Sequence, residues 1–195
     1  MSIELKGRWK KGFAYDLHTL DSVYMGVDEY GHHRWDTTRS EMGELVYKLK
    51  YQGNTSVIPR IVGRLGIYKG LDTMDTMDAI IPIPSTNRHR IIQPVYAIAR
   101  ELGKRLGVTV IEDALEKVEG GPELKNVDDP NEREKLLKEH MRLTDKHNLS
   151  GMNILLLDDL YRSGTTLKIA TDILYDKALC KGVYVLTMTK TRSRR

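Results

Sequence analysis

The sequence predicts an α/β protein, with a parallel sheet flanked by helices and a small β-rich region at the N-terminus. Three observations predict it. From residue 79 onward, short apolar runs alternate with segments of helical periodicity, the pattern of strand–helix–strand units wound right-handed around a parallel sheet. Residues 154–157, Ile-Leu-Leu-Leu, are apolar without alternation, as expected of a strand covered on both faces. The first forty residues are instead aromatic and polar, and hold both tryptophans, Trp9 and Trp35.

The elements follow in order. Alternation over residues 13–17 and 23–25 predicts strands, and residues 28–31 (Asp-Glu-Tyr-Gly) a hairpin turn. Thr38 and Glu41 have the spacing of a capping box. Met42, Leu45, Val46 and Leu49 follow at helical spacing, with Gly53 as the stop. Val57, Ile58, Ile61, Val62 and Leu65 predict a second helix ending near Gly66. Residues 79–84 (Ala-Ile-Ile-Pro-Ile-Pro) predict a strand that is short or irregular, because proline donates no ladder hydrogen bond. Pro94 opens a helix whose buried face is Val95, Ile98, Ala99, Leu102 and Leu106, and Gly107 ends it. Residues 108–111 read as a strand, 165–179 as a helix with Leu167, Ala170, Ile173 and Leu174 inward, and 183–188 as the last strand.

Two segments stand outside this alternation. Residues 72–78 (Asp-Thr-Met-Asp-Thr-Met-Asp) read as a solvated loop. Residues 113–150 form a long insertion with a charged, helix-prone middle over 131–140. Connections beyond about 12–15 residues are often functional, so this one is either a lid over a site or a surface excursion.

Composition bounds the function. The length of 195 residues suits one domain, and a 40% share of the AVILMFWYC set with 30% charged residues argues against wholesale disorder. The lone Cys180 excludes an internal disulfide and a multi-cysteine zinc site. No apolar run approaches the roughly 20 residues of a membrane span, and the N-terminus carries no secretory signal pattern, so a cytoplasmic protein is expected. The net charge of +4 suggests a nucleic-acid partner until it is located. Residues 190–195 hold four basic and no acidic residues, which leaves 27 of each sign in residues 1–189. The excess is a tail, read either as a frayed terminus or as a weak DNA contact. The adjacent His32 and His33 fall in a predicted turn and read as a surface pair.

The chemistry concentrates in residues 153–167. An apolar strand runs into Asp158 and Asp159, and a loop of Arg162, Ser163, Gly164, Thr165 and Thr166 then opens a helix. Ligands of open α/β sheets bind at the C-terminal ends of strands. Gly164 permits a left-handed backbone, and the unpaired N–H groups of a helix start, with the hydroxyls, form a phosphate cradle. Two adjacent carboxylates repel each other unless they accept hydrogen bonds or lie near a divalent cation. A ligand with a phosphate at one end and a diol further along satisfies both halves. No Gly-Lys-Thr/Ser of a Walker A loop is present.

This stretch resembles the binding motif of the type I phosphoribosyltransferases. More narrowly, residues 49–53 (Leu-Lys-Tyr-Gln-Gly), residues 81–84 with Arg88 and Arg90, and residues 131–133 (Asn-Glu-Arg) resemble elements of the ComF-like, competence-associated branch. The four-cysteine N-terminal zinc module of many such members is missing. The resemblance implies a type I phosphoribosyltransferase-like fold in a single domain 1–195. Residues 1–53 would be its β/hood segment, 113–150 its lid-like insertion and 190–195 its basic tail. It implies that Asp158 and Asp159 hold the ribose hydroxyls of phosphoribosyl pyrophosphate (PRPP) and, through the substrate, Mg2+. Arg162, Ser163, Gly164, Thr165 and Thr166 would hold the 5-phosphate, and Ser85, Thr86 and Arg88 would face the pyrophosphate. Lys125 and Arg133 are weaker candidates to close over it. The implied activity is Mg-dependent transfer of ribose phosphate to a nitrogen of a base or amine, with pyrophosphate release. The alternative is a catalytically silent protein that binds PRPP or a nucleotide and serves DNA uptake as an accessory or regulator. A homodimer is compatible with either.

Overall fold

The computed structural model describes residues 3–67, 70–85, 92–118, 135–136 and 138–192. Of the residues named above, Thr86, Arg88, Arg90, Lys125 and Arg133 lie outside the described residues, as do 119–134 and 193–195.

Six strands form the central sheet in the order β1 (Ile3–Glu4), β2 (Lys11–Leu17), β10 (Gly182–Lys190), β9 (Asn153–Tyr161), β5 (Ala79–Pro82) and β6 (Thr109–Val110). Strands β2, β10, β9, β5 and β6 are parallel, and β1 is antiparallel at the edge. Helices cover both faces, as the apolar run of β9 predicts. Leu155 and Leu157 pack with Tyr184, Leu186 and Met188 against α1 (Glu41–Gln52), α2 (Ile58–Leu65) and α3 (Pro94–Leu106). Ile154 and Leu156, turned the other way by the two-residue period, pack with Val183 and Val185 against α4 (Thr165–Asp176). Among the described residues, no helix is long and apolar enough to cross a membrane.

The N-terminal region is divided rather than being one separate β unit. Strand β2 joins the central sheet beside β10, in register from Tyr184↔Lys11 to Lys190↔Leu17. The chain then leaves the C-terminal edge of the sheet as an antiparallel ribbon of β3 (Thr19–Val27) and β4 (His33–Arg39), closed by a turn in which Asp28 accepts from the backbone of Tyr30 and His32. Thr38 belongs to β4, so the cap of α1 is Ser40: its hydroxyl accepts from Gly43 N at 2.9 Å and donates to Leu17 O. Gly53 ends α1 at φ 64.

Other bounds shift for local reasons. Strand β9 runs past the apolar stretch to Tyr161 because β10 pairs with it throughout, Asp158↔Thr187 and Tyr161↔Lys190 included. Strand β6 is shorter than residues 108–111, since only Ala79 and Ile80 of β5 face it. Helix α4 ends at Asp176, not 179: Leu179 is left-handed (φ 55), and Cys180 N reaches back to Leu174 O at 3.0 Å. The insertion contains strands that its charged sequence conceals, β7 (Leu115–Lys117) and β8 (Met141–Leu143), paired antiparallel; residues 135, 136 and 138–140 are helical.

The residue 72–78 loop is pinned at the opposite, N-terminal end of the sheet. Tyr184 donates its hydroxyl to Asp75, Lys10 Nζ lies 3.1 Å from the same carboxylate, and Asp78 accepts from Asn153 N at 2.7 Å. The basic tail also begins within the fold: Lys190 ends β10, and Arg192 donates to Leu20 O at 2.5 Å with Asp21 3.7 Å away.

Candidate functional site

The geometry follows from β9. Successive side chains of a strand point to opposite faces, so Asp158 continues the Ile154–Leu156 side and Asp159 the Leu155–Leu157 side. Both lie beyond the buried stretch, where the strand meets solvent at its C-terminal end, and both border one cavity.

Their surroundings differ. Asp158 accepts from Asp159 N at 2.8 Å. Burial, and then the charge of Asp159, push its carboxyl up to about 7, against the opposing pull of that N–H, Lys117 and Lys50. Beside it in β10, Thr187 has a buried hydroxyl with no hydrogen-bond partner among the described residues. Asp159, with its side chain 13% exposed, forms an ion pair with Lys50 Nζ at 2.5 Å.

The loop after β9 has the form of an anion cradle. Gly164 caps α4 in the left-handed region at φ 79, which glycine adopts at no steric cost. Ser163 Oγ lies 2.9 Å from Thr165 Oγ1 and accepts from Thr165 N at 3.4 Å. A cavity of about 70 Å³ is lined by Asp158, Tyr161 and residues 162–166, with the first N–H groups of α4 at its rim. Helix starts attract anions because these donors lack partners and the helix dipole adds partial positive charge.

A second cavity of about 230 Å³ lies between the ends of β9 and β5 and the start of α3. It is bounded by Asp158, Asp159, Lys50, Lys117, Ser85 and Thr166, among others. Asp158 and Thr166 border both cavities, so the two adjoin at these residues as a two-part trough: the smaller part carries the loop hydroxyls and the start of α4, and the larger carries both carboxylates, Lys50, Lys117 and Ser85. All the candidate residues that are described fall on it, from Arg162, Ser163, Gly164, Thr165 and Thr166 at one end to Ser85 at the other.

Sequence reasoning missed several members. Lys50 was visible only as part of the Leu-Lys-Tyr-Gln-Gly element, and Lys117 belongs to the unanticipated β7. Tyr161 packs its ring against Gly164, with Lys190 Nζ 5.8 Å from the ring centre. Behind the site rather than on its lining, His18, just after β2, touches Thr189 Oγ1 through Nδ1 at 3.0 Å, and Thr189 Oγ1 lies 3.1 Å from the carbonyl oxygen of Asp159. Burial, and then Arg39, lower its basicity. A lone histidine at a strand end gives no sequence signal.

The two carboxylates are donors of the kind a magnesium ion takes. Carboxylate oxygens suit this hard cation, which keeps waters and phosphate oxygens as its other ligands. Among the described residues no group of three or more His, Cys, Asp or Glu gathers to form an all-protein site.

No family model matches the chain, and no curated protein matches it. Solved structures that overlap it include adenine phosphoribosyltransferase from Saccharomyces cerevisiae, complexed with an imino-altritol bisphosphate and adenine (11% identity, 86% of this chain and 84% of that chain, TM-score 0.47). A hypoxanthine phosphoribosyltransferase from Staphylococcus aureus overlaps at 18% identity, over 71% of this chain and 65% of that chain, with TM-score 0.44. The allosteric regulatory enzyme of purine biosynthesis overlaps at 16% identity, over 83% of this chain and 34% of that chain, with TM-score 0.49. At these identities and scores the functional reading rests on the residues of the site.

Proposed function

We propose that the chain is a cytoplasmic, Mg-dependent phosphoribosyltransferase that binds PRPP and transfers its ribose phosphate to a nitrogen acceptor. The observation that carries this reading is that the anion cradle and the cavity holding Lys50 and Lys117 adjoin at Asp158, an arrangement suited to a sugar with a phosphate on one side, hydroxyls at the acidic pair and a pyrophosphate on the other.

The chain's own residues divide the work. Ser163, Thr165, Thr166 and the N–H groups at the start of α4 bind the 5-phosphate, with Arg162 beside them. Asp158 and Asp159 accept from the ribose hydroxyls and fix the sugar. Ser85, with Thr86 and Arg88 next in sequence, faces the pyrophosphate. Fixing the sugar between two anchored anions supplies orientation, and fixed charges stabilise the transition state. The C1–O bond breaks with its electron pair leaving on pyrophosphate, a C1–N bond forms from the acceptor's lone pair, and the acceptor's N–H proton passes to the departing pyrophosphate or to water. Asp158 and Asp159, with substrate oxygens, would hold a magnesium ion, which would supply charge neutralisation of the pyrophosphate. The β3–β4 ribbon rises from the same sheet edge and is the proposed hood for the acceptor.

Titration calorimetry tests the reading. Wild type is expected to bind PRPP in magnesium, and the double variant D158N/D159N to lose at least about tenfold in affinity, since each carboxylate–hydroxyl hydrogen bond contributes roughly 1.5–3 kcal/mol. Equal binding by the two proteins would overturn the site. A screen of bases and amines for pyrophosphate release separates the enzyme from a silent binding protein of DNA uptake.

A further inference from the structure

The ion pair between Lys50 and Asp159 has no role in the reading above, and it sits inside the trough. Helix α1 buries Met42, Leu45, Val46 and Leu49. Gly53 stops the helix one turn later, so Lys50 is held in the last turn. Its side chain is 24% exposed and Asp159's 13%, with 2.5 Å between Nζ and Oδ2. Two charges this far withdrawn from water are costly unless paired. The pair is nevertheless not sealed into the core. Lys50 also borders the cavity of about 230 Å³, whose lining includes Ser85 and Lys117. One ammonium thus faces both a carboxylate that a ribose hydroxyl would need and the space a pyrophosphate would fill.

We propose that Lys50 is a pyrophosphate-binding residue that exchanges partners: it pairs with Asp159 in the empty site and with the diphosphate in the loaded one. This rests on the PRPP reading of the site. The exchange gives the site a selectivity. A ligand with an anomeric diphosphate releases Asp159 to the sugar by drawing Lys50 away. Ribose 5-phosphate, which has no such group, must compete with Lys50 for the same carboxylate oxygen. A lysine suits this part, being a compact charge on a four-carbon stem with three donors that reorient freely.

The test uses two probes on full-length wild type, K50M, K50R, D159N and K50M/D159N, each checked for folding by thermal melting. With inorganic pyrophosphate and no divalent cation, K50M is expected to bind about tenfold more weakly than wild type and K50R to recover most of the loss, the scale of one charge-assisted contact. D159N is expected to bind pyrophosphate more tightly than wild type, because Lys50 is released and a repelling charge removed, and K50M/D159N to bind about tenfold more weakly than D159N. The double variant also removes the stranded carboxylate, so it keeps the test sharp if K50M alone is unstable. K50M/D159N binding as tightly as D159N would overturn the proposal and leave Lys50 a charge partner of Asp159 only. The second probe, PRPP with magnesium, separates this failure from failure of the site reading. Lys50-independent PRPP binding overturns the exchange and leaves the site standing. Lys50-dependent pyrophosphate binding without PRPP binding supports Lys50 as an anion ligand and overturns the site.

Discussion

Asp158 makes the sharpest claim at the scale of the residue. Its carboxyl is held up to about 7 by burial and by Asp159, against about 3.9 in an unfolded chain. Between these values the folded protein keeps a proton that the unfolded chain has released. The stability linked to this site is therefore fully present below about pH 4 and lost as pH rises through about 7. The isosteric D158N variant, which cannot ionise, is expected to melt close to wild type at pH 4 and above it at pH 8. A Tm difference that does not change with pH would refute the assignment. Gly164 makes a second claim. At φ 79 a side chain is strained, and a Cβ would meet the Tyr161 ring. G164A should cost about 1–2 kcal/mol, or roughly 2–8 °C in Tm at this chain length, and weaken 5-phosphate binding. G63A is the control: Gly63 lies within α2 with open space around it, and alanine there should stabilise by up to about 1 kcal/mol. The acid pair and glycine loop were legible because adjacent residues carry them. Lys50 was not, because it lies 109 residues from Asp159 in sequence and only packing of α1 on the sheet brings the two together.

The elements that sequence locates well are those whose buried face has one period. Helix α3 matches expectation from Pro94 to the left-handed Gly107, and α1 buries the four residues that its spacing selects. The misses lie where pairing, not periodicity, sets the structure. Strand β9 is extended by β10 beyond its apolar run, and β7–β8 is a short pair within a charged segment. Strand β2 reads as an alternating strand, yet nothing local in its sequence says that its neighbour is β10, about 170 residues later. The cap of α1 was misplaced by two residues because Thr38 and Ser40 both precede acidic, helix-prone sequence, and only the run of β4 to Arg39 decides between them. Ser40 serves two elements at once, accepting from Gly43 N and donating to Leu17 O. S40A is therefore expected to lose about 1–2 kcal/mol, seen as a fall of roughly 2–8 °C in Tm, while S22A on the exposed ribbon should fall by less.

For the whole molecule, burial divides the chain into a two-faced core and a projecting ribbon. Strands β9 and β10 are buried on both sides, with Ile154, Leu155, Leu156, Leu157, Val183, Val185 and Leu186 fully enclosed. The β3–β4 ribbon instead exposes Val23, Tyr24, Met25, Val27 and Trp35, each by about half or more (47–65%). Its side-chain contacts are largely its own, such as the Tyr24–Trp35 ring pair at 5.0 Å and the Tyr24–His33 hydrogen bond at 2.9 Å. An isolated two-stranded ribbon is marginal in water, whereas core strands open only with the whole domain. Amide hydrogen exchange is thus expected to separate the two. Ribbon amides should exchange through local opening, at rates nearly independent of low denaturant. Amides of β9 and β10 should exchange only through global unfolding and show its full denaturant dependence. The base of the ribbon, where His18 N donates to Lys190 O and Arg192 holds Leu20 O, should be the boundary. R192A is expected to raise the exchange rate of residues 19–21 and leave that of β9 unchanged. Equal protection of ribbon and core in wild type would show instead that the ribbon is an integral part of the cooperative fold.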